Sequence, residues 1–219
     1  MHSSSTTVVV FDLDDTLYKE VDYQRSGFAA VCRLISDLDG TSVDTDVAGL
    51  LKAGESDVLA EICKLAGLPA TTKESLLWAY RLHEPDIQLS ADVNQTIQQL
   101  ESYCRLAILT DGRSISQRLK LKALGLGHLP AYISEEFGAD KLSPVRFQRI
   151  MLEMSANRYV YVGDNPAKDF LIPNQLGWLT IGLKDDGRNI HRQLLDGLDA
   201  IMLPHVWVET FQEICAHIC

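Results

Sequence analysis

Short apolar runs recur along the chain at spacings that alternate with helical patterns. Thr7-Val8-Val9-Val10-Phe11 is unbroken and β-branched, the pattern of a strand buried on both faces. Leu106 to Leu109, Ala131 to Ile133, Tyr159 to Val162 and Leu179 to Ile181 repeat it. Between them lie stripes at helical spacing. Ile115, Leu119, Ala123 and Leu126 form one, with Ser114 and Gln117 as a capping box. Phe147, Ile150, Met151 and Met154 form another, with Ser143 as N-cap and Pro144 at the first helical position. Pro166 to Leu176 reads as a third, stopped by Gly177. Strands alternating with helices predict right-handed βαβ units and a doubly wound parallel sheet of the Rossmann type, an α/β fold.

One stretch breaks the alternation. From Tyr18 to Leu89 no strand-like run appears. Phe28, Val31, Ile35 and Leu38 predict one helix, Val58, Leu59, Ile62 and Leu65 a second ending at Gly67 and Pro69, and Leu76, Leu77 and Tyr80 a third. So long a helical segment exceeds an ordinary crossover. We therefore expect an inserted all-helical domain over 18–89, with the α/β core formed by 1–17 and 90–219. Val93, Ile97 and Leu100 begin the helix that leads back into the sheet.

Composition narrows the classes. The 219 residues carry 20 Lys+Arg and 30 Asp+Glu, a net charge of −10, and 46% are hydrophobic, enough to fill a core. The acidic balance speaks against a nucleic-acid polymer as partner. No apolar run approaches the ~20 residues of a membrane helix, and the polar start Met1 to Thr7 does not read as a secretion signal. Five scattered cysteines, an odd number, fit a reducing cytoplasm. Cys215, His217 and Cys219 are read as a helical tail with thiols, since no second cluster accompanies them. His83, His128 and His205 show no ligand spacing.

In open parallel sheets ligands bind at the carboxyl ends of the strands. Asp12, Asp14 and Asp15 follow the first run. Thr110, Asp111 and Gly112 follow the second, and Gly163-Asp164-Asn165 with Asp169 follow the fourth. Lys141 precedes the Phe147 helix. Converging carboxylates call for a cation, and few oxygen ligands beside room for phosphate suit Mg²⁺. A carboxylate can attack phosphorus to give an aspartyl-phosphate that water then hydrolyses, while a second carboxyl handles protons. The Thr110 hydroxyl, the backbone N–H groups of Asp111 and Gly112, and Lys141 can hold the phosphoryl oxygens. Arg113 either meets phosphate or is a free charge at a helix start. Tyr18, Tyr23 and Arg25 either touch substrate or pack where the chain enters the inserted helices. Asp15 is read as capping its turn.

Together Asp12-Leu13-Asp14-Asp15-Thr16, Thr110, Lys141 and Gly163 to Asp169 resemble the motifs of the haloacid dehalogenase superfamily, in the branch with a helical cap between the first two motifs. The resemblance implies a phosphomonoester hydrolase acting on a small phosphorylated metabolite: a sugar phosphate, a phospho-acid or a nucleoside monophosphate. It implies Asp12 as nucleophile and Mg²⁺ ligand, and Asp14 as acid/base offering its backbone carbonyl to the metal. Thr110 then binds phosphate, Lys141 steadies nucleophile and phosphate, Asp164 is a metal ligand, and Asp169 supports the metal directly or through water. An aspartate at 14 disfavours the dehalogenases and transport ATPases of the superfamily. The Asp12-to-Tyr18 string leans towards pyrimidine nucleotidases. Asp111 departs from the usual asparagine, and Leu142 from the proline that often follows the lysine. The expected partner is a small phosphorylated substrate, without membrane or nucleic acid, for a cytoplasmic monomer or homodimer. A phosphomutase of the same fold, an idle binding or scaffold subunit and, last, a receiver-type domain are the alternatives.

Overall fold

The computed structural model describes residues 6–40, 43, 49–50 and 57–218. The leader residues 1–5 and Cys219 lie outside these. Six parallel strands form one sheet in the order β3-β2-β1-β4-β5-β6. They are β1 (Thr7–Phe11), β2 (Cys104–Thr110), β3 (Ala131–Ile133), β4 (Arg158–Gly163), β5 (Leu179–Leu183) and β6 (Val206–Val208). Five coincide with the apolar runs. The sixth, around Trp207, was not expected, because no helical stripe separates it from β5.

β1 is fully buried because both of its faces are covered. Val9 and Phe11 pack on one side with Ile97 and Leu100 of α4 (Ala91–Glu101), Leu121 of α5 (Ser114–Ala123), and Phe211 and Ile214. Val8 and Val10 face the other side with Phe147 and Ile150 of α7 (Val145–Glu153), Phe170 and Trp178. This period-two division over a continuous apolar run is what a doubly covered parallel sheet requires.

The chain between β1 and β2 is helical where described: α1 (Glu20–Asp39), α2 (Val58–Leu65), α3 (Lys73–Leu82) and then α4. Val31 and Ile35 of α1 join Val58, Leu59 and Ile62 of α2 and Leu76 of α3 in a core of their own. Tyr18, Tyr23 and Ile87 belong instead to the sheet core, so both connections into the helices are anchored on it.

Several local expectations are corrected. Leu38, Leu65 and Ile115 sit in helices but are exposed. The box at Ser114 and Gln117 does not form. Arg113 is the N-cap residue, the Ser114 N–H donates to Glu135, and the Gln117 side chain turns into the strand-end cavity instead. At α7 the N-cap is Pro144, one residue later than expected. Pro166 to Leu176 is a turn followed by a short helix, α8 (Leu171–Gln175), because the Asp169 carboxylate takes the N–H groups of Asp164 and Asn165. Two further short helices, α6 (Ser134–Phe137) and α9 (Ile214–Ile218), and three 3-10 turns at Ala70–Thr72, Ala200–Met202 and Phe211–Glu213 complete the described elements.

Phe147 sits wholly buried between Tyr161 and Trp178, ring centroids 5.5 Å from each. Phe147→Ala should cost about 3–5 kcal/mol in urea unfolding, since the sheet behind the cavity cannot collapse to fill it. A loss below 1 kcal/mol would mean that this layer does not carry the sheet.

Candidate active site

Strand register assembles the site. Phe11 is paired with Ile108 on β2 and Val162 on β4, and the Asp12 N–H donates to the Val162 carbonyl at 2.8 Å. The residues just beyond, Asp12, Thr110 and Asp164, therefore emerge side by side at one sheet edge. They line a cavity of about 180 Å³ together with Asp14, Asp15, Glu20, Asp111, Lys141, Asn165, Lys168, Asp169 and His191.

Lys141 is the hub. Its ammonium lies 2.5 Å from Asp12 Oδ1 and 2.7 Å from Asp169 Oδ1, all three side chains being buried. Asp169 is committed on its other oxygen as well, accepting the Asp164 N–H at 3.1 Å and the Asn165 N–H at 2.8 Å. Gly163 is required here, because a Cβ would stand 2.5 Å from Asp169 Oδ2. Asp164 receives only neutral donors: Asn189 Nδ2 at 2.8 Å and the Thr16 hydroxyl at 3.4 Å.

One ammonium thus faces three buried carboxylates. Burial, with the charge of Asp169 added, pushes Asp164 up to about 9. Burial also raises Asp12, to about 7, although Lys141 pulls the other way. Oxygens of Asp12, Asp164 and Asp169 lie within 4.8 Å of one another, close enough to share one cation. An all-oxygen, under-neutralised set of this kind fits a hard divalent ion.

Asp14 is held differently. Its carboxylate accepts from Lys120 at 2.7 Å, from Gln117 at 2.9 Å and from the Tyr18 hydroxyl. Burial alone would raise its pKa, but Lys120 and the two hydrogen-bond donors outweigh burial and hold it below the usual carboxylate range. Gln117 Nε2 also reaches Thr110 Oγ1 at 2.6 Å, tying the two residues together. Lys120 is buried too, its ammonium 4.1 Å from the Tyr23 ring centroid, so Tyr18 and Tyr23 pack this junction. Burial first, then the neighbouring Asp14 charge, pushes Glu20 up to about 7, with Lys120 and Lys168 opposing.

The departure at Asp111 has a partner. Arg146 on α7 is fully buried and donates to Asp111 Oδ1, to the Thr110 carbonyl at 2.8 Å and to the Tyr132 carbonyl at 3.0 Å. The added negative charge is therefore met from behind the loop. Gly112 and Arg113 do not line the cavity. The Gly112 N–H donates to Ser134 Oγ at 2.9 Å, and Arg113 is exposed and paired with Glu135 at 2.6 Å. Asp15 takes a left-handed turn (φ 58°), and its carboxylate accepts the N–H groups of Glu20 and Ile190 at 2.9 Å each.

Sequence reasoning missed Gln117, Lys120, Arg146, Asn189, Glu20, Lys168 and His191. For Gln117 and Lys120 a signal existed, since their i, i+3 spacing puts both on the helix face that also carries Leu121. For Asn189 none did. It reaches the site on a loop ordered by Asp185, whose carboxylate accepts the N–H groups of Gly187, Arg188 and Asn189.

Residues 6–177 match the family model of haloacid dehalogenase-like hydrolases. The chain is similar to a ribulose-1,5-bisphosphate 5-phosphatase of Halopiger xanaduensis, 27% identical over 80% of this chain and 83% of that protein. It is also similar to a glyceraldehyde 3-phosphate phosphatase of Methanocaldococcus jannaschii, 24% identical over 79% and 82% of the two chains. The crystal structure of a phosphatase from Thermococcus onnurineus shares the fold, with a TM-score of 0.62, 23% identity and coverage of 97% and 98%.

The charge imbalance has a measurable sign. Asp12 and Asp164 bind protons more tightly folded than unfolded, so between pH 7 and 9 the folded state holds more protons and stability falls as pH rises. In chelator, Tm should drop across this window, and Mg²⁺ should restore it most at the upper end. A flat or rising Tm in chelator would contradict the imbalance. Separately, Arg146→Met should cost about 3–5 kcal/mol. Pairing it with Asp111→Asn should recover about 1–3 kcal/mol in a double-mutant cycle. Strict additivity would show that the two side chains do not compensate each other.

Proposed function

Because the chain belongs to the haloacid dehalogenase-like hydrolase family, we propose that it is a Mg²⁺-dependent phosphomonoester hydrolase working through an aspartyl-phosphate. The observation that carries the reading is Asp12, buried at the cavity floor with Lys141 2.5 Å away, in a lining that also holds Thr110 and Asp14. Family membership and the phosphatase relatives support hydrolysis of a small phosphorylated compound.

Asp12 attacks phosphorus in line, and the bond from phosphorus to the substrate oxygen breaks. Asp14 gives that oxygen its proton. Water then attacks the acyl phosphate, Asp14 takes the proton, and Asp12 is regenerated as phosphate leaves. Lys141 and the Thr110 hydroxyl bind the phosphoryl oxygens, and Lys141 opposes the upward push that burial gives the Asp12 pKa. Asp12, Asp164 and the Asp14 backbone carbonyl would hold Mg²⁺, with Asp169 supporting it, and the ion supplies charge neutralisation at the phosphoryl group. Asp14 cannot deliver a proton while Lys120, Gln117 and Tyr18 hold it as a carboxylate, so the first half-reaction requires it to leave that clamp.

Residues 18–89 act as a helical cap whose closure excludes water. The scattered, odd-numbered cysteines fit a cytoplasmic enzyme. Among the described residues no helix is long and apolar enough to cross a membrane.

Phosphate release from a panel of small phosphomonoesters tests the reading. Asp12→Asn should reduce release to background, and Asp14→Asn should cut it by about 10²–10⁴-fold, both with unchanged circular dichroism. Chelator should stop turnover and Mg²⁺ should restore it. Wild-type rates in either variant would refute the mechanism.

A further inference from the structure

Glu20 takes no part in the chemistry above, yet it lines the same cavity as Asp12, Asp14 and Thr110. It is the first residue of α1, and its backbone N–H is fixed by the Asp15 carboxylate at 2.9 Å. Among the described residues its own carboxylate has no hydrogen bond or ion pair. Lys168 and His191 belong to the same lining. A carboxylate turned into a cavity without a partner costs free energy that a bound hydrogen-bond donor recovers.

The chemistry of this rim is selective. Above its raised pKa of about 7, where Glu20 is ionised, its carboxylate only accepts hydrogen bonds and an ammonium only donates them, so a group that satisfies both Glu20 and Lys168 both donates and accepts. A hydroxyl does so. A second anionic group on the substrate would meet Glu20 and Asp111 in a lining already crowded with carboxylates, and an ammonium would meet Lys168. Size acts in the same direction. At about 180 Å³ the cavity falls below the ~300–1,000 Å³ typical of sites for larger ligands, which leaves room for a phosphoryl group and a short chain.

Resting on the phosphomonoesterase reading, we infer that the leaving group is a short, uncharged polyhydroxy chain, and that Glu20 selects it by accepting a hydrogen bond from one of its hydroxyls. This narrows the substrate class to small polyol or sugar monophosphates and sets aside phospho-acids, sugar bisphosphates and nucleotides.

The test compares kcat/KM on glycerol 3-phosphate, phosphoglycolate, fructose 1,6-bisphosphate, uridine monophosphate and p-nitrophenyl phosphate, with Asp12→Asn as the blank. Wild type should favour glycerol 3-phosphate among the four biological esters. Glu20→Ala should lower the ratio of glycerol 3-phosphate to p-nitrophenyl phosphate by about tenfold or more. Glu20→Gln keeps an acceptor at nearly the same volume. It should preserve most of that ratio while relaxing the rejection of phosphoglycolate. An unchanged ratio in Glu20→Ala, unrelaxed rejection in Glu20→Gln, or a wild-type preference for an acid, bisphosphate or nucleotide overturns the inference alone, provided p-nitrophenyl phosphate is turned over with Asp12 dependence. No Asp12-dependent release from any ester overturns the phosphatase reading and the inference with it.

Discussion

The site depends on one buried ammonium. Lys141 stands between Asp12 and Asp169, and without it three buried carboxylates would crowd one another with no cation between them. Its reach in turn depends on the turn before α7, and Asp111 accepts the Lys141 N–H at 3.4 Å. Asp111 is itself held by Arg146, which grips the carbonyls that end β2 and β3. A line of polar contacts therefore runs from the core of the sheet to Asp12, the proposed nucleophile. It ends with three carboxylates, Asp12, Asp169 and Asp164, around the Lys141 ammonium, two positive charges short of balance. That deficit makes the cluster hospitable to a cation, and a fully balanced cluster would have less affinity for one.

The second organising constraint is the junction with the inserted helices. Tyr18 touches Asp14, Tyr23 stacks beneath Lys120, Glu20 lines the cavity and Asp22 receives both hydrogen bonds of the Arg188 guanidinium at 2.9 Å. All four lie in the first stretch after the Asp12–Asp15 loop. The geometry of that stretch is transmitted to Asp14, the residue proposed to transfer protons, not only to the surface that would face substrate.

Much of this was legible in the sequence. Strands buried on both faces betray themselves as unbroken apolar runs, and polar residues directly after such runs mark a sheet edge, so Asp12, Thr110 and Asp164 could be placed together without coordinates. Val206–Val208 was not, since no helical stripe sets it off from β5. Gln117 was read as a cap because local spacing favoured one, whereas the empty space beside Thr110 drew its amide inward. Nothing in its local sequence singles out Arg146. Only the meeting of two carbonyls and a carboxylate, from residues 14 to 36 positions away, makes a wholly buried guanidinium tolerable. Such residues are set by what the other elements leave unsatisfied, which no window of sequence contains.

The strand order has a consequence for how the molecule is made. β1 occupies the middle of the sheet, but its two neighbours begin at Cys104 and Arg158. A chain emerging from the ribosome can fold its early helices on one another well before its first strand has any partner. Until β4 follows, one edge of that strand, Val8-Val9-Val10-Phe11, remains open to any other strand it meets. The acidic cluster is incomplete for the same interval. Closure of the sheet around β1 and assembly of the acidic cluster are thus one event, and both wait for residues 158–169.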